Sequence, residues 1–528
     1  MGRPVSSRIR VRGWLRTESP LHVGGLEHEP SEPLPIAMDG RGHLYVPATT
    51  LAGVLRAWCL GSGEIPSAMD EVWGYEADGG AGGQASRVVV ADALVTRTTV
   101  TDERGVPAHP LEHDVLEYRP SVAIDRVTGA AVPEFLHGRE VIPIGCYLRL
   151  EFHIESNEQP DRDEALMGAL LAALSGRQVR LGAATGKGLG LVRLLDEPLD
   201  VIVDRFDSPE GLLALLRNDP SRNRTVVSLR AGEAALPPRR EVLDVRITWK
   251  PTAPVMVRSG AAGLLADTLP LVTRIDGRHL TLVLPGSSIK GMLRTHAELI
   301  ERTARDLPAP AAPPGEPAAR HGAAFRAQLA QLPAVRALFG AARDEAAGHQ
   351  AGALRAEECL ASLSIPHELW DSVTGSGETL SPPEDGRPFQ VPEPIRDRLA
   401  DVGLERADHV ALDRWTGGAA DGRLFSVLEP YDVCWEPIRL SVDLTRLDRA
   451  VERDVGLGLL LLVLRDLAEG RIPVGAATNR GFGDVDISDI ALSGGHWAEE
   501  TSLTDVLLGP EASSVSEAWT RYLDQGAS

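Results

Sequence analysis

The sequence predicts an α+β chain built from two tandem copies of one ferredoxin-like domain. Three observations carry this. The length, 528 residues, exceeds one ordinary core and suits two. Four segments occur twice in the same order. Each copy also runs from an opening strand through a turn and helix to a late apolar helix and a final strand, the order of two helices packed on an antiparallel sheet.

The repeated segments are these. Pro47 to Arg56 (PATTLAGVLR) matches Pro285 to Arg294 (PGSSIKGMLR), and Trp73-Gly74 matches Phe339-Gly340. Ile124 to Gly129 (IDRVTG) matches Leu412 to Gly417 (LDRWTG), and Gly182 to Gly190 (GAATGKGLG) matches Gly475 to Gly483 (GAATNRGFG). The separations only grow along the chain, so the second copy is the first with insertions. The boundary falls at the Pro237-Pro238-Arg239-Arg240 cluster, giving domains of residues 1–238 and 239–528, with the main insertion at about 295–400.

The opening strands show as alternation: Ile9, Val11 and Leu15 in the first copy, and Leu243, Val245, Ile247 and Trp249 in the second. At the next turn, Thr49 and Thr50, or Ser287 and Ser288, are placed to cap the following helix. Late helices are expected near Glu164 to Leu174 and Arg453 to Leu467, and final strands near Leu189 to Leu194 and Phe482 to Ile487. Pro308 to Pro317 reads as a stiff exposed linker and Gly375 to Pro388 as a mobile stretch.

Apolar residues make up 43% of the chain, enough for a sizeable interior. The longest apolar run, Gly456 to Leu464, is half a membrane span and reads as a buried helix, so no membrane association is expected. The opening residues lack the apolar stretch of a signal peptide. The four cysteines are far apart with no CxxC, which argues against a disulfide framework or zinc site and suits a reducing cytoplasm. The net charge of −21 disfavours a generic nucleic-acid binder but leaves room for a local basic groove.

Gly182 to Gly190 contains Gly-Lys, yet its spacing is not that of a phosphate-binding ATP loop, and the second copy has Arg480 where the first has Lys187. Two readings stand level: a glycine turn that brings backbone N–H groups and one cation to a phosphate, or a tight helix-to-strand connection that needs positive φ. Lys290 and Arg294, four residues apart, share a helix face near its N-terminus, which suits a phosphate backbone. The first copy keeps Arg56 but has Ala52 for the lysine. The Asp of each DRxTG pairs with its Arg or caps the turn, while Arg126 and Arg414 suit contacts to a nucleic-acid backbone. His22, in Pro-Leu-His-Val-Gly-Gly, lies beside a candidate binding loop, although a satisfied loop histidine is the commoner outcome. There is no HExxH, GxSxG or dinucleotide-binding fingerprint, so hydrolase and dehydrogenase readings have no support.

Taken together, the PLHVGG segment, the PGSSIKGMLR turn and helix, the WG or FG, the DRxTG with Glu140 or Glu429 downstream, and the terminal glycine loop resemble the RAMP superfamily of CRISPR-associated proteins. The resemblance covers most of the chain, once per half. It is closest to the backbone subunits of type III effector complexes, and two such domains in one chain resemble the double-backbone fusions of type III-D systems. It implies an RRM-like fold in each copy with a β-hairpin thumb, from roughly Asp92 to His137 and Glu357 to Leu428. It also implies a role in antiviral defence: binding guide RNA and target RNA alongside other effector subunits. On this resemblance Lys290, Arg294 and Arg56, with Ser287, Ser288, Thr49, Thr50 and His22, contact RNA, as do Arg126, Arg414, Lys187 and Arg480. In active relatives an aspartate ahead of a Pro-hydrophobic pair cuts target RNA with a divalent metal, Mg²⁺ or Mn²⁺. The second copy offers Asp267 there and the first only Glu32, which makes the chain a candidate endoribonuclease. The alternatives are a scaffold without chemistry, and a protein-binding relative that has lost RNA.

Overall fold

The computed structural model describes residues 4–25, 33–62, 67–76, 82–124, 131–157, 159–230, 236–308, 327–344, 348–376 and 391–526. Glu32, Asp125-Arg126, nearly all of the Pro308 to Pro317 linker and most of Gly375 to Pro388 lie outside these residues. The chain divides into two compact units. One comprises Met1–Arg119, His137–Thr185 and Leu189–Arg240; the other comprises Pro120–Leu136, Gly186–Gly188 and Glu241–Ser528.

In the first sequence copy, β1 (Ser7–Thr17) buries Ile9, Val11 and Leu15 and turns Arg8, Arg10 and Arg12 the other way. The next elements are β2 (Tyr45–Val46), α1 (Ala48–Leu60), β3 (Val88–Val90) and β4 (Ala93–Thr96). After them come β5 (Glu117–Ile124) and β6 (Ala131–Val141), which pair as a hairpin. β7 (Tyr147–Ser156), α2 (Pro160–Ser175), β8 (Val192–Leu194) and β9 (Asp200–Arg205) complete the copy. β1 pairs antiparallel with β7 on one side and with β8 and β9 on the other, and β7 pairs antiparallel with β3 and β4. This is the ferredoxin-like order, with the first and third core strands central. Leu51 and Leu55 of α1 and Leu166, Leu170 and Leu174 of α2 share one core with Ile9, Val11, Leu148 and Phe152. Arg239, near the end of the unit, donates to the Trp58 carbonyl at 2.7 Å and lies over the Trp58 ring.

The second unit repeats the plan with β10 (Val242–Pro251), β11 (His279–Leu284), α3 (Gly286–Ala304) and β12 (Leu354–Ala356). A long hairpin, β13 (Leu404–Leu412) and β14 (Ala419–Pro430), leads to β15 (Ile438–Asp443), α4 (Arg453–Ala468) and β16 (Val485–Gly494). The sheet order is β12-β15-β10-β16, extended at the β16 edge by β17 (Trp497–Ser502), and all pairings are antiparallel. Leu243, Val245, Ile247 and Trp249 fill the core as the alternation required. The Gly456 to Leu464 run is buried except for the half-buried Leu462 because α4 contacts α3, β16, the helix Pro333–Phe339 and the closing helix α5 (Glu511–Gly526).

Some expectations shift. α2 begins four residues before the expected Glu164 because Pro160 sits in its first turn, where its missing N–H is harmless. β8 and β16 start later than expected, since Gly190 (φ 84°) and Gly483 (φ 87°) leave the extended region. Capping by Thr49, Thr50, Ser287 or Ser288 does not occur. Pro47 and Pro285 are the N-cap residues, and neither helix takes a side-chain cap there. Helical bonding starts at the proline carbonyls, which receive Leu51 N–H at 3.2 Å and Ile289 N–H at 3.1 Å, so the hydroxyl residues fall inside the first turn. The Ala48 N–H is instead taken by Asp92 Oδ1 at 2.7 Å, an acceptor far off in sequence.

Candidate nucleic-acid interface

The LDRWTG segment forms the tip of the β13–β14 hairpin. Asp413 Oδ1 accepts the N–H groups of Trp415 and Thr416, each at 2.8 Å, and the Gly417 N–H closes on the Asp413 carbonyl at 2.9 Å. Gly417 takes φ 69°, a conformation natural to glycine. The aspartate therefore caps the turn, and among the described residues no ion pair joins it to Arg414. This turn leaves Arg414 exposed and Trp415 97% exposed.

At the base of the same hairpin the glycine loop meets the ribbon. Gly475 (φ 95°) fits where a Cβ would lie 2.5 Å from the Met256 carbonyl oxygen, so the tight-connection reading of the loop is met. The loop also carries Arg480 in the one-turn helix Thr478–Arg480, with its guanidinium over the Phe425 ring, 5.5 Å from the centroid. His409 stacks on Phe425 at 5.3 Å and bonds Glu429 Oε1 through Nε2 at 2.6 Å. Glu429 is buried, and its Oε2 accepts the Tyr431 hydroxyl at 2.7 Å. Beside this stack lies a cleft of about 390 Å³ lined by Arg258, Thr268, Arg423, Leu424, Phe425 and Arg480. Sequence reasoning singled out only Arg480 of these. The Arg423 and Phe425 alternation on a strand two residues apart was the one available signal.

Asp267 lies next to Thr268 in the loop that runs beside β14. Its Oδ2 accepts the Ser426 N–H at 2.7 Å and the Ser426 hydroxyl at 2.8 Å. These bonds, with the Arg406 charge, hold the carboxyl below the usual carboxylate range. Among the described residues Oδ1 has no hydrogen-bond partner, and no three His, Cys, Asp or Glu side chains gather as a metal site. The chain thus offers a divalent cation one carboxylate oxygen here; phosphate and water would have to supply the rest.

The other singled-out residues lie elsewhere. Lys290 is largely enclosed: its Nζ donates to the Leu354 carbonyl at 2.6 Å, and burial, reinforced by Arg294, lowers its pKa to about 8. Arg294 donates to Oε1 of the buried Glu298 at 2.8 Å. The pair is therefore no open basic face; both cations are engaged by their own domain. Arg56 meets Asp70 at 3.5 Å. His22 is buried, not in an open loop: it is 3% exposed, its Nδ1 bonds the Glu140 carbonyl at 2.7 Å, and burial pushes its imidazole below the usual range. Lys187 is exposed in the short helix Thr185–Lys187, and Thr49 is exposed at the start of α1. Thr50, Ser287 and Ser288 are half-buried.

Among the described residues no helix is long and apolar enough to cross a membrane. No curated protein matches the chain. Residues 14–193 and 254–486, one stretch in each copy, match the RAMP superfamily. With two ferredoxin-like copies, each carrying a hairpin insertion and a terminal glycine loop, the chain belongs to the RAMP superfamily of CRISPR-associated, RNA-binding proteins.

Proposed function

We propose that this chain is a tandem backbone subunit of a type III, III-D-like, CRISPR effector complex, with copies at 1–238 and 239–528 that together hold one guide RNA and its target. The observation that carries the reading is the duplication itself: two RAMP regions in one chain, each with its own two-stranded hairpin and a DRxTG segment in its sequence. Tandem domains place equivalent surfaces at successive points along one polymer, as stacked repeats do. RNA contacts are assigned to Arg480 and Lys187 of the glycine loops, to Arg414 and Arg126 of the two DRxTG segments, and to Arg56 of α1. The test is footprint length. The full chain should protect about twice the guide length that one copy protects, and equal footprints would sink the reading.

Cleavage of the target is assigned to Asp267, whose free Oδ1 would hold Mg²⁺ or Mn²⁺ against a scissile phosphate. When bound, the metal supplies charge neutralisation; Ser426 orients the carboxylate. A second reading, an RNA scaffold without cleavage, is favoured by the lone carboxylate. Metal-dependent cutting of labelled complementary RNA by the assembled complex separates the two.

A further inference from the structure

We propose that Arg258, Arg423 and Arg480 form a binding site for a phosphate group of a nucleotide chain, which anchors the strand one residue away from Asp267. The inference rests on the RNA-binding reading above and adds a site to it.

The three arginines come from three separate segments: the loop after β10, strand β14 and the glycine loop. All three line one cleft. Carboxylates are abundant in this chain, 75 against 54 Lys and Arg. Many arginines use them, as Arg12 does with Glu151 and Arg453 with Glu241. Among the described residues, Arg258, Arg423 and Arg480 have no ion-pair partner, and all three are exposed. Like charges around one concavity repel, and an anionic strand relieves that repulsion. Guanidinium forks match phosphate oxygens in pairs, which an ammonium does not. The cleft's about 390 Å³ sits at the small end of ligand sites and suits one nucleotide unit rather than a large ligand.

The site is also braced in advance. Arg480 lies over Phe425, Phe425 stacks with His409, and His409 is locked by the buried Glu429, itself held by Tyr431. A cation fixed on an aromatic ring loses little freedom on binding. Thr268 lines the cleft and Asp267 is its neighbour, so a phosphate held here sets the strand beside the candidate carboxylate.

The test uses the full chain and the double variant Arg258→Ala/Arg423→Ala, with Arg521→Ala, a remote exposed arginine paired to Glu452, as control. A labelled single-stranded RNA is titrated by anisotropy over a range of salt, and AMP and inorganic pyrophosphate are titrated by calorimetry. The expected result is at least a tenfold rise in Kd for RNA, with a salt slope smaller by about 0.7 for each phosphate no longer neutralised. The control should be unchanged, and thermal melts should match wild type. The variant Arg258→Lys/Arg423→Lys should keep the salt slope while losing affinity. If wild type binds RNA and the alanine pair binds it equally well, the site is wrong while the RNA-binding reading stands. If wild type fails to bind RNA but binds AMP or pyrophosphate through these arginines, the phosphate site stands with a free nucleotide as its ligand, and the RNA reading falls. If wild type binds none of the three probes, the site is overturned.

Discussion

Ser426 gives both its backbone N–H and its hydroxyl to one oxygen of Asp267, at 2.7 and 2.8 Å, across 159 residues of sequence. The hairpin strand thereby ties down one oxygen of the carboxylate, while Oδ1 has no hydrogen-bond partner among the described residues. It also fixes the ionic state. The folded-state pKa is depressed by these bonds, so the associated stability is present above the ordinary carboxylate pKa and is lost as pH falls through the folded value. Ser426→Ala should raise the Asp267 titration midpoint, read by carbon NMR of the side-chain carboxyl. Its urea midpoint should fall below wild type at neutral pH, and the gap should narrow in acid. An unmoved midpoint would show that the serine does not set the charge.

Asp267→Ala should abolish one set of metal-dependent cuts in complementary RNA while target binding persists. Glu32→Ala should change little. The assay is gel analysis of labelled target with the assembled complex, with and without EDTA; a wild-type cutting pattern from Asp267→Ala would remove the catalytic assignment.

Lys290 has the opposite linkage. Its pKa falls from 10.5 to about 8 because burial disfavours the ammonium. Between these values the unfolded chain binds more protons than the folded one, so stability should rise with pH across that window, by up to about 3 kcal/mol at roughly 1.4 per unit. Lys290→Met should flatten the rise, as measured by urea midpoints through the alkaline range. Parallel curves for wild type and variant would mean that the ammonium is solvated after all.

Two glycine substitutions should move in opposite directions. Gly475→Ala places a Cβ 2.5 Å from a carbonyl oxygen at φ 95°, and should cost more than about 1 kcal/mol. Gly53→Ala, inside α1 with nothing within 4 Å of the added carbon, should stabilise by about 0.5–1 kcal/mol. Thermal melts of the two variants should bracket wild type.

Much of the fold was legible because it is written locally. β1 and β10 alternate in sequence as they alternate between core and solvent, and the apolar run of α4 announced a largely buried helix. The glycine loops were legible too, since positive φ at Gly475 and Gly483 leaves glycine as the natural residue. The candidate site was legible only in fragments: Asp267, Arg480 and the DRxTG tip.

By itself, then, the sequence determined the duplication, the α+β class and the core-facing residues of the opening strands, because each is written in the local order and alternation of residues. Only the tertiary structure decided which polar groups are spent on the protein's own interior. Lys290, Arg294 and His22 look available in sequence, yet Leu354, Glu298 and Glu140 claim them. Arg258 and Arg423 carry no motif, yet they line one cleft with Arg480. A charge is free or satisfied according to what packing brings within about 4 Å, and such partners can lie far away along the chain.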